Sequence, residues 1–382
     1  MDFTCLDDKN TDSADPVFSG IPAKSIDLEN PEHLDNNFTE QDFENKVASS
    51  VNHNASDLHL CTGYHPVLRI EGELKTFSHW PRISAGWLNG LSRHVLSEAQ
   101  QNRLQHMGQV DCACTTVAGQ RLRANIFQQQ QGLSIAFRII SASCPLLEEL
   151  DAPPIIHQLI EQENGLILVT GATGSGKSTT LSAMVNAINQ KQARHIITLE
   201  DPIEFIHSSR SCLIQQRELG RHTDSFSSAL SGALRQDPDI ILLGELRDQE
   251  SIRLALTAAE TGHLVLATLH TRTATQAIDR LVDVFPAAEK VVIQAQLAAS
   301  LRGVIAQKLC AKAGGGRIAV FEILTQTTAA SHLIREGKTY QLPTVIQAGG
   351  QWGMQSFEQG MAQRQQQGVF ALPVQRDSAA RP

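Results

Sequence analysis

Between residues 156 and 270, short unbroken aliphatic runs alternate with longer stretches whose apolar residues recur every three or four positions. Leu166-Ile167-Leu168-Val169 and Ile240-Ile241-Leu242-Leu243 have the length of buried strands. The pattern predicts strands at 165–170, 195–199, 240–243 and 264–269, and helices at 177–190, 225–236 and 249–260. Such alternation implies a parallel sheet with helices on its faces. The helix over 225–236 is sharply marked: Asp224 or Ser225 can cap it, and Phe226, Ala229, Leu230, Ala233 and Leu234 fall on one face. Gly262 stands where the helix over 249–260 should stop.

Upstream the pattern changes. Ser56-Asp57-Leu58-His59-Leu60 and Val67-Leu68-Arg69-Ile70 read as short strands, with a turn at Glu71-Gly72-Glu73. A helix is expected over 84–106, then strands near Arg121–Ile126 and Leu133–Ile139. Residues 47–143 thus form a small α+β domain. Cys144-Pro145 and Ala152-Pro153-Pro154 bracket a linker at 144–155. The larger α/β domain then takes 156–372, and 373–382 form a tail.

Charge adds a further segment. Residues 1–46 carry twelve Asp/Glu against three Lys, whereas the whole chain of 382 residues has a net charge of -8. With few aliphatics and no sustained period, this stretch reads as a solvated acidic tail. The acidic balance and the 5% aromatic content argue against a general nucleic-acid binder. Seven cysteines form no CxxC pair, which excludes the usual zinc spacing and gives no disulfide framework. The amino terminus lacks the basic-then-apolar order of an export signal, and no apolar run approaches the roughly 18 residues of a membrane span.

Chemistry enters at Gly171-Ala172-Thr173-Gly174-Ser175-Gly176-Lys177-Ser178, a complete GxxxxGK[ST] pattern between a predicted strand and a predicted helix. Glycines let backbone amides turn inward around phosphate oxygens, and the helix N-terminus adds its positive end. Gly171, Thr173, Gly174, Ser175, Gly176, Lys177, Ser178 and Thr179 are therefore the expected phosphate cradle. Lys177 would neutralise the β and γ oxygens, and the Ser178 hydroxyl would hold Mg²⁺. Glu245, at the end of the strand over 240–243, is placed to polarise a water, since Gly244 occupies the position where many P-loop enzymes carry Asp. Glu200, Asp201 and Glu204 crowd the end of the strand over 195–199, which suggests a shared cation or water network. His263 and His270 flank the strand over 264–269 and are expected to join the same site.

These elements, in this order, resemble the secretion and type IV pilus ATPase superfamily. The shared set is the P-loop, an aspartate box at Thr198-Leu199-Glu200-Asp201-Pro202-Ile203-Glu204, a glutamate-bearing strand end through Glu245-Leu246-Arg247-Asp248, and a histidine box at 263–271. Within it the chain is most similar to the PilT-like branch, the pilus retraction or twitching motility ATPases. Ala55-Ser56-Asp57-Leu58-His59-Leu60 also matches their N-terminal domain. The resemblance implies a RecA-like P-loop domain, a PAS-like N-terminal domain and ATP between them. It also implies a cytoplasmic homohexamer that acts on an inner-membrane platform protein. N-terminal-domain arginines reach the phosphates in such motors, and the matching positions are Arg121, Arg123 and Arg138.

The chain also departs from that pattern. The extension and secretion branch usually carries four zinc-binding cysteines after the histidine box, and here only Cys310 follows it. The retraction signature Ala-Ile-Arg-Asn-Leu-Ile-Arg-Glu reads Ala329-Ala330-Ser331-His332-Leu333-Ile334-Arg335-Glu336. Two other readings share the core: a RecA-like nucleic-acid motor, marked by nucleic-acid-stimulated hydrolysis, and an ATP-binding regulator, marked by binding without turnover.

Overall fold

The computed structural model describes residues 38–70, 72–140, 144–313 and 315–370. The tail expected at 373–382 and the first 37 positions of the acidic segment lie outside the described residues.

The first domain comprises α1 (Glu40–Asn52), β1 (Ala55–Cys61), β2 (Val67–Ile70), β3 (Glu73–Thr76), α2 (Ala85–Val95), α3 (Glu98–Met107), β4 (Gln109–Thr115), β5 (Arg121–Gln129) and β6 (Gly132–Ile140). Its strands form one antiparallel sheet in the order β3-β2-β1-β6-β5-β4. Residues alternate across it: Leu122, Ala124 and Ile126 are buried, while Arg121, Arg123 and Asn125 on the other face stay partly open. The buried face packs Leu58, Leu60 and Phe137 against Phe43 and Val47 of α1 and Trp87, Leu88 and Leu91 of α2. Each such aliphatic or aromatic side chain contributes roughly 1.5–3 kcal/mol when fully buried.

Three expectations need correction here. Helix α1 begins inside the segment assigned to the acidic tail. Thr39 caps it, and Phe43 (2% exposed) and Lys46 (3%) are buried on its inner face. A net charge averaged over 46 residues conceals this short apolar face. The single helix expected over 84–106 is two helices, because Ser97 opens a new one with a reciprocal capping box to Gln100. The stretch 144–155 is also no free linker. Leu147 is 1% exposed within the core of the second domain, and Cys144 Sγ lies 2.8 Å from Ser182 Oγ.

The second domain runs α4 (Ile155–Ile160), β7 (Gly165–Thr170), α5 (Lys177–Lys191), β8 (His195–Glu200), β9 (Leu213–Glu218), α6 (Phe226–Ala233), β10 (Ile240–Leu243), α7 (Gln249–Glu260) and β11 (Leu264–Leu269). It continues through α8 (Ala274–Asp283), α9 (Ala287–Ser300), β12 (Leu301–Ala311), β13 (Arg317–Thr325), α10 (Thr328–Arg335), α11 (Leu342–Ala348) and α12 (Phe357–Gln366). Its seven strands lie in the order β13-β12-β7-β11-β10-β8-β9, all parallel except β13.

Both faces of this sheet are covered, which is why its strands read as unbroken aliphatic runs. Leu166, Leu168, Ile241 and Leu243 pack with α6 to α9 on one side. Ile167, Val169, Ile240 and Leu242 pack with α4 and α5 on the other. The parallel register sets the carboxyl ends of β7, β11, β10 and β8 side by side along one edge. Ligand sites of open α/β sheets form at that edge.

Candidate active site

The P-loop leaves the end of β7 and feeds directly into α5. Gly176 is the N-cap of α5 with φ 90, and no side chain caps the helix. Its first amides are therefore free for an anion. Gly171 must be glycine for a different reason: a Cβ there would stand 2.4 Å from the Gln307 carbonyl oxygen. Lys177 donates from Nζ to the carbonyls of Gly171 at 2.9 Å and Ala172 at 3.2 Å. Burial pushes its pKa below the ordinary lysine value, against the opposing pull of the Glu245 and Glu204 carboxylates. The Ser178 side chain is exposed on the first turn of α5, and its hydroxyl has no hydrogen bond among the described residues. That free oxygen fits a magnesium ligand. Thr173 and Gly174 are exposed at the loop's rim, Ser175 is buried and Thr179 is half-buried.

A line of polar side chains crosses the strand ends. Lys177 Nζ lies 3.4 Å from His270 Nδ1, His270 Nε2 lies 3.2 Å from Glu245 Oε1, and Arg247 donates to Glu245 Oε2 at 2.7 Å. Arg247 continues to Asp201 at 3.7 Å. A neutral imidazole with its proton on Nε2 satisfies both of its neighbours, accepting from the ammonium and donating to the carboxylate. The line thus joins the ends of β7, β11, β10 and β8. Gly244 lets the end of β10 press against β8: a Cβ there would come within 3.3 Å of Glu200 Cα and the Leu199 carbonyl oxygen.

Glu200 lies deeper. Thr198 donates to its Oε1 at 2.6 Å and Gln216 at 3.2 Å. Burial nevertheless pushes its pKa up to about 7. A cavity of about 40 Å³ opens beside it, lined by Ser178, Ser182, Glu200, Glu204, His207 and Thr268. Leu181, Phe205 and Leu242 also line it, so the lining is mixed, with polar groups enough to hold a water. Burial pushes His207 down to about 4, so this imidazole is neutral at physiological pH.

Sequence reasoning missed His207, Gln216 and Glu218. The buried Glu218 carboxylate accepts from the Ile203 amide at 3.1 Å and so holds the acidic loop. Gln216 and Glu218 sit on β9, whose Leu-Ile-Gln-Gln-Arg-Glu run carries no strand signal. His207 comes three residues after Glu204, and that proximity to the acidic cluster is the one signal for it in the sequence.

Two of the three N-terminal-domain arginines reach this loop. Arg121 donates to the Ile203 carbonyl at 2.6 Å, and Arg123 pairs with Glu204 at 3.9 Å. Arg138 stands opposite Arg123 across the β5–β6 pair, yet it is bound to Asp57 at 3.2 Å and does not touch the loop.

The expectation that both histidines join the site is corrected. His263 precedes β11 at its amino end, where its carbonyl accepts from Gly165, the first residue of β7. Its Nδ1 faces the Ala258 carbonyl at 3.1 Å. Two residues flanking one six-residue strand lie about 20 Å apart, at opposite edges of the sheet. Of the two, His270 is the one that meets the P-loop, through Lys177.

A family described as "Type II/IV secretion system protein" matches residues 32–371. The chain belongs to this family. A relative from Escherichia coli (strain K12) described as "Uncharacterized protein YggR" is 54% identical over 322 residues, covering 84% of this chain and 98% of that protein. The "Type IV pilus retractation ATPase PilT" of Pseudomonas aeruginosa is 43% identical over 341 residues, covering 89% of this chain and 99% of that protein. The solved structure described as "Crystal Structure of the Pilus Retraction Motor PilT and Bound ADP" is similar at a TM-score of 0.78 and 40% identity, over 86% of this chain and 94% of that one. The α/β class with a smaller N-terminal domain, expected from the sequence, is thereby the fold observed. Among the described residues, no helix is long and apolar enough to cross a membrane.

Proposed function

We propose that this chain is a Mg-ATP-hydrolysing motor of a type IV pilus or related secretion machine, of the retraction type, working as a homohexamer. One observation carries the reading. A complete P-loop lysine, a histidine and a glutamate stand in hydrogen-bonding line across adjacent parallel strand ends, Lys177 to His270 to Glu245. That line offers a cation for the phosphates and a carboxylate for the attacking water, joined by an imidazole that contacts both.

In this reading the backbone amides of Gly174, Gly176 and Lys177 cradle the phosphates, and Lys177 exchanges its two loop carbonyls for phosphate oxygens. Glu245 orients the water, and His270 holds Glu245 in place. Glu200 and Glu204 order the water around the cavity beside Ser178. Ser178 would hold Mg²⁺, which would neutralise charge on the phosphates when bound. Arg121 and Arg123 grip residues 203 and 204, so the two domains are tied at the edge of the site. A change of domain angle would carry these arginines toward or away from the nucleotide.

The motor would sit at the cytoplasmic face of the inner membrane, held there by a platform protein. The altered signature falls on α10, where Ala330 and Ile334 are buried and His332 is exposed. None of these residues lines the nucleotide site, so the alteration bears on partners rather than on hydrolysis. The test is ATP turnover across fractions separated by size, followed by complementation of a pilated host that lacks its retraction ATPase. Mg-dependent turnover in a hexameric fraction with restored twitching is expected. ATP binding with no turnover in any fraction would replace the motor with the regulator.

A further inference from the structure

Gln307 lies on β12, one residue past the Ala306–Thr170 pair, and so abuts the start of the P-loop. It touches the loop with both its main chain and its side chain. Its carbonyl oxygen occupies the space that a Gly171 Cβ would need, and its Nε2 would stand 3.0 Å from a Cβ on Gly176. Nε2 donates to the Ser175 carbonyl at 2.6 Å.

The side chain is 2% exposed, yet its Oε1 has no partner. Ser175, 6% exposed, likewise leaves its Oγ without one. The site carries two orphaned polar atoms, a cost to folding, in order to keep the single hydrogen bond from Nε2 to the Ser175 carbonyl. The amide therefore has a use beyond packing.

We infer that Gln307 is a positioning residue for nucleotide binding, acting through the Ser175–Gly176 peptide. A peptide is planar and trans, so its C=O and N–H point in opposite directions. Gln307 pulls the Ser175 carbonyl toward β12, outside the loop. The Gly176 N–H is thereby turned the other way, toward the interior where phosphate oxygens bind. Without the Nε2 donor this peptide is free to rotate, because glycine at position 176 offers little resistance. The inference rests on the nucleotide-binding reading of the P-loop.

The test uses the full chain and a fluorescent ADP with Mg²⁺, titrated well below the melting temperature. Wild type must bind; if it does not, the P-loop reading itself fails. Gln307→Met keeps the length, removes the donor and removes one orphaned acceptor. Its melting temperature should stay within about 2 °C of wild type, while nucleotide affinity falls roughly tenfold or more. Gln307→Glu is the second variant. Its ionised form offers no donor, whereas its protonated form can donate to the Ser175 carbonyl, so its affinity relative to wild type should recover as pH falls. Wild-type affinity in Gln307→Met would overturn the inference. So would a pH-independent affinity ratio for Gln307→Glu, which also decides the matter should the Met variant not fold.

Discussion

His270 bridges two groups of opposite charge: its Nε2 stands 3.2 Å from Glu245 Oε1, and its Nδ1 faces Lys177 Nζ at 3.4 Å. Removing the imidazole leaves the carboxylate held by Arg247 alone, without touching the backbone amides proposed to cradle phosphate. His270→Ala should therefore lower turnover by roughly 10²-fold, the scale of a lost general acid–base element, with nucleotide affinity little changed. Single-turnover hydrolysis beside equilibrium ADP binding separates the two effects. Equal losses in both would place His270 in binding instead.

Glu200 gives a stability signature with a defined sign. Its pKa in the fold is about 7, above the 4.5 of an unperturbed glutamate. Between these values the folded state holds a proton that the unfolded chain releases, so the folded state loses stability as pH rises through that window. Glu200→Gln removes the titrating group. Its melting temperature relative to wild type should climb between pH 4.5 and about 7 and level off above. A pH-independent difference would mean that Glu200 is already ionised throughout that range.

The tie between Arg123 and Glu204 is a weak one. At 3.9 Å and with both side chains about a third exposed, it contributes less than about 1 kcal/mol. Arg123→Ala should leave the melting temperature nearly unchanged. If Arg123 swings to the phosphates in the working motor, turnover should still fall by roughly tenfold, since a charged contact of about 1.4 kcal/mol in the transition state is worth that factor. Unchanged turnover would confine Arg123 to its present partner.

Much of this architecture was legible where the residues that matter are contiguous. Strands β7, β8, β10 and β11 announce themselves because helices cover both their faces, and the P-loop because its spacing is local. Strand β12 opens Leu301-Arg302-Gly303, a start that breaks the aliphatic pattern of a buried strand; Gly303 is small because Leu159 packs onto it, with Leu159 Cδ1 2.9 Å from where a Cβ would stand. Gln307 and Glu218 act on the P-loop and the acidic loop only after strand pairing brings them there, and no spacing in the chain encodes that. His263 and His270 show the converse. Sequence proximity suggested a pair, and the length of the strand between them keeps them apart.

In the proposed mechanism Glu245 prepares the water, and ATP is held by the P-loop whether or not that carboxylate is charged. Glu245→Gln keeps the side-chain shape and the contact region of His270 and Arg247, and removes the negative charge. Purified variant and wild type should be compared for ATP binding and for Mg-dependent phosphate release. Near wild-type binding with turnover reduced by roughly 10² to 10⁴-fold is expected. Turnover close to wild type in Glu245→Gln would contradict it.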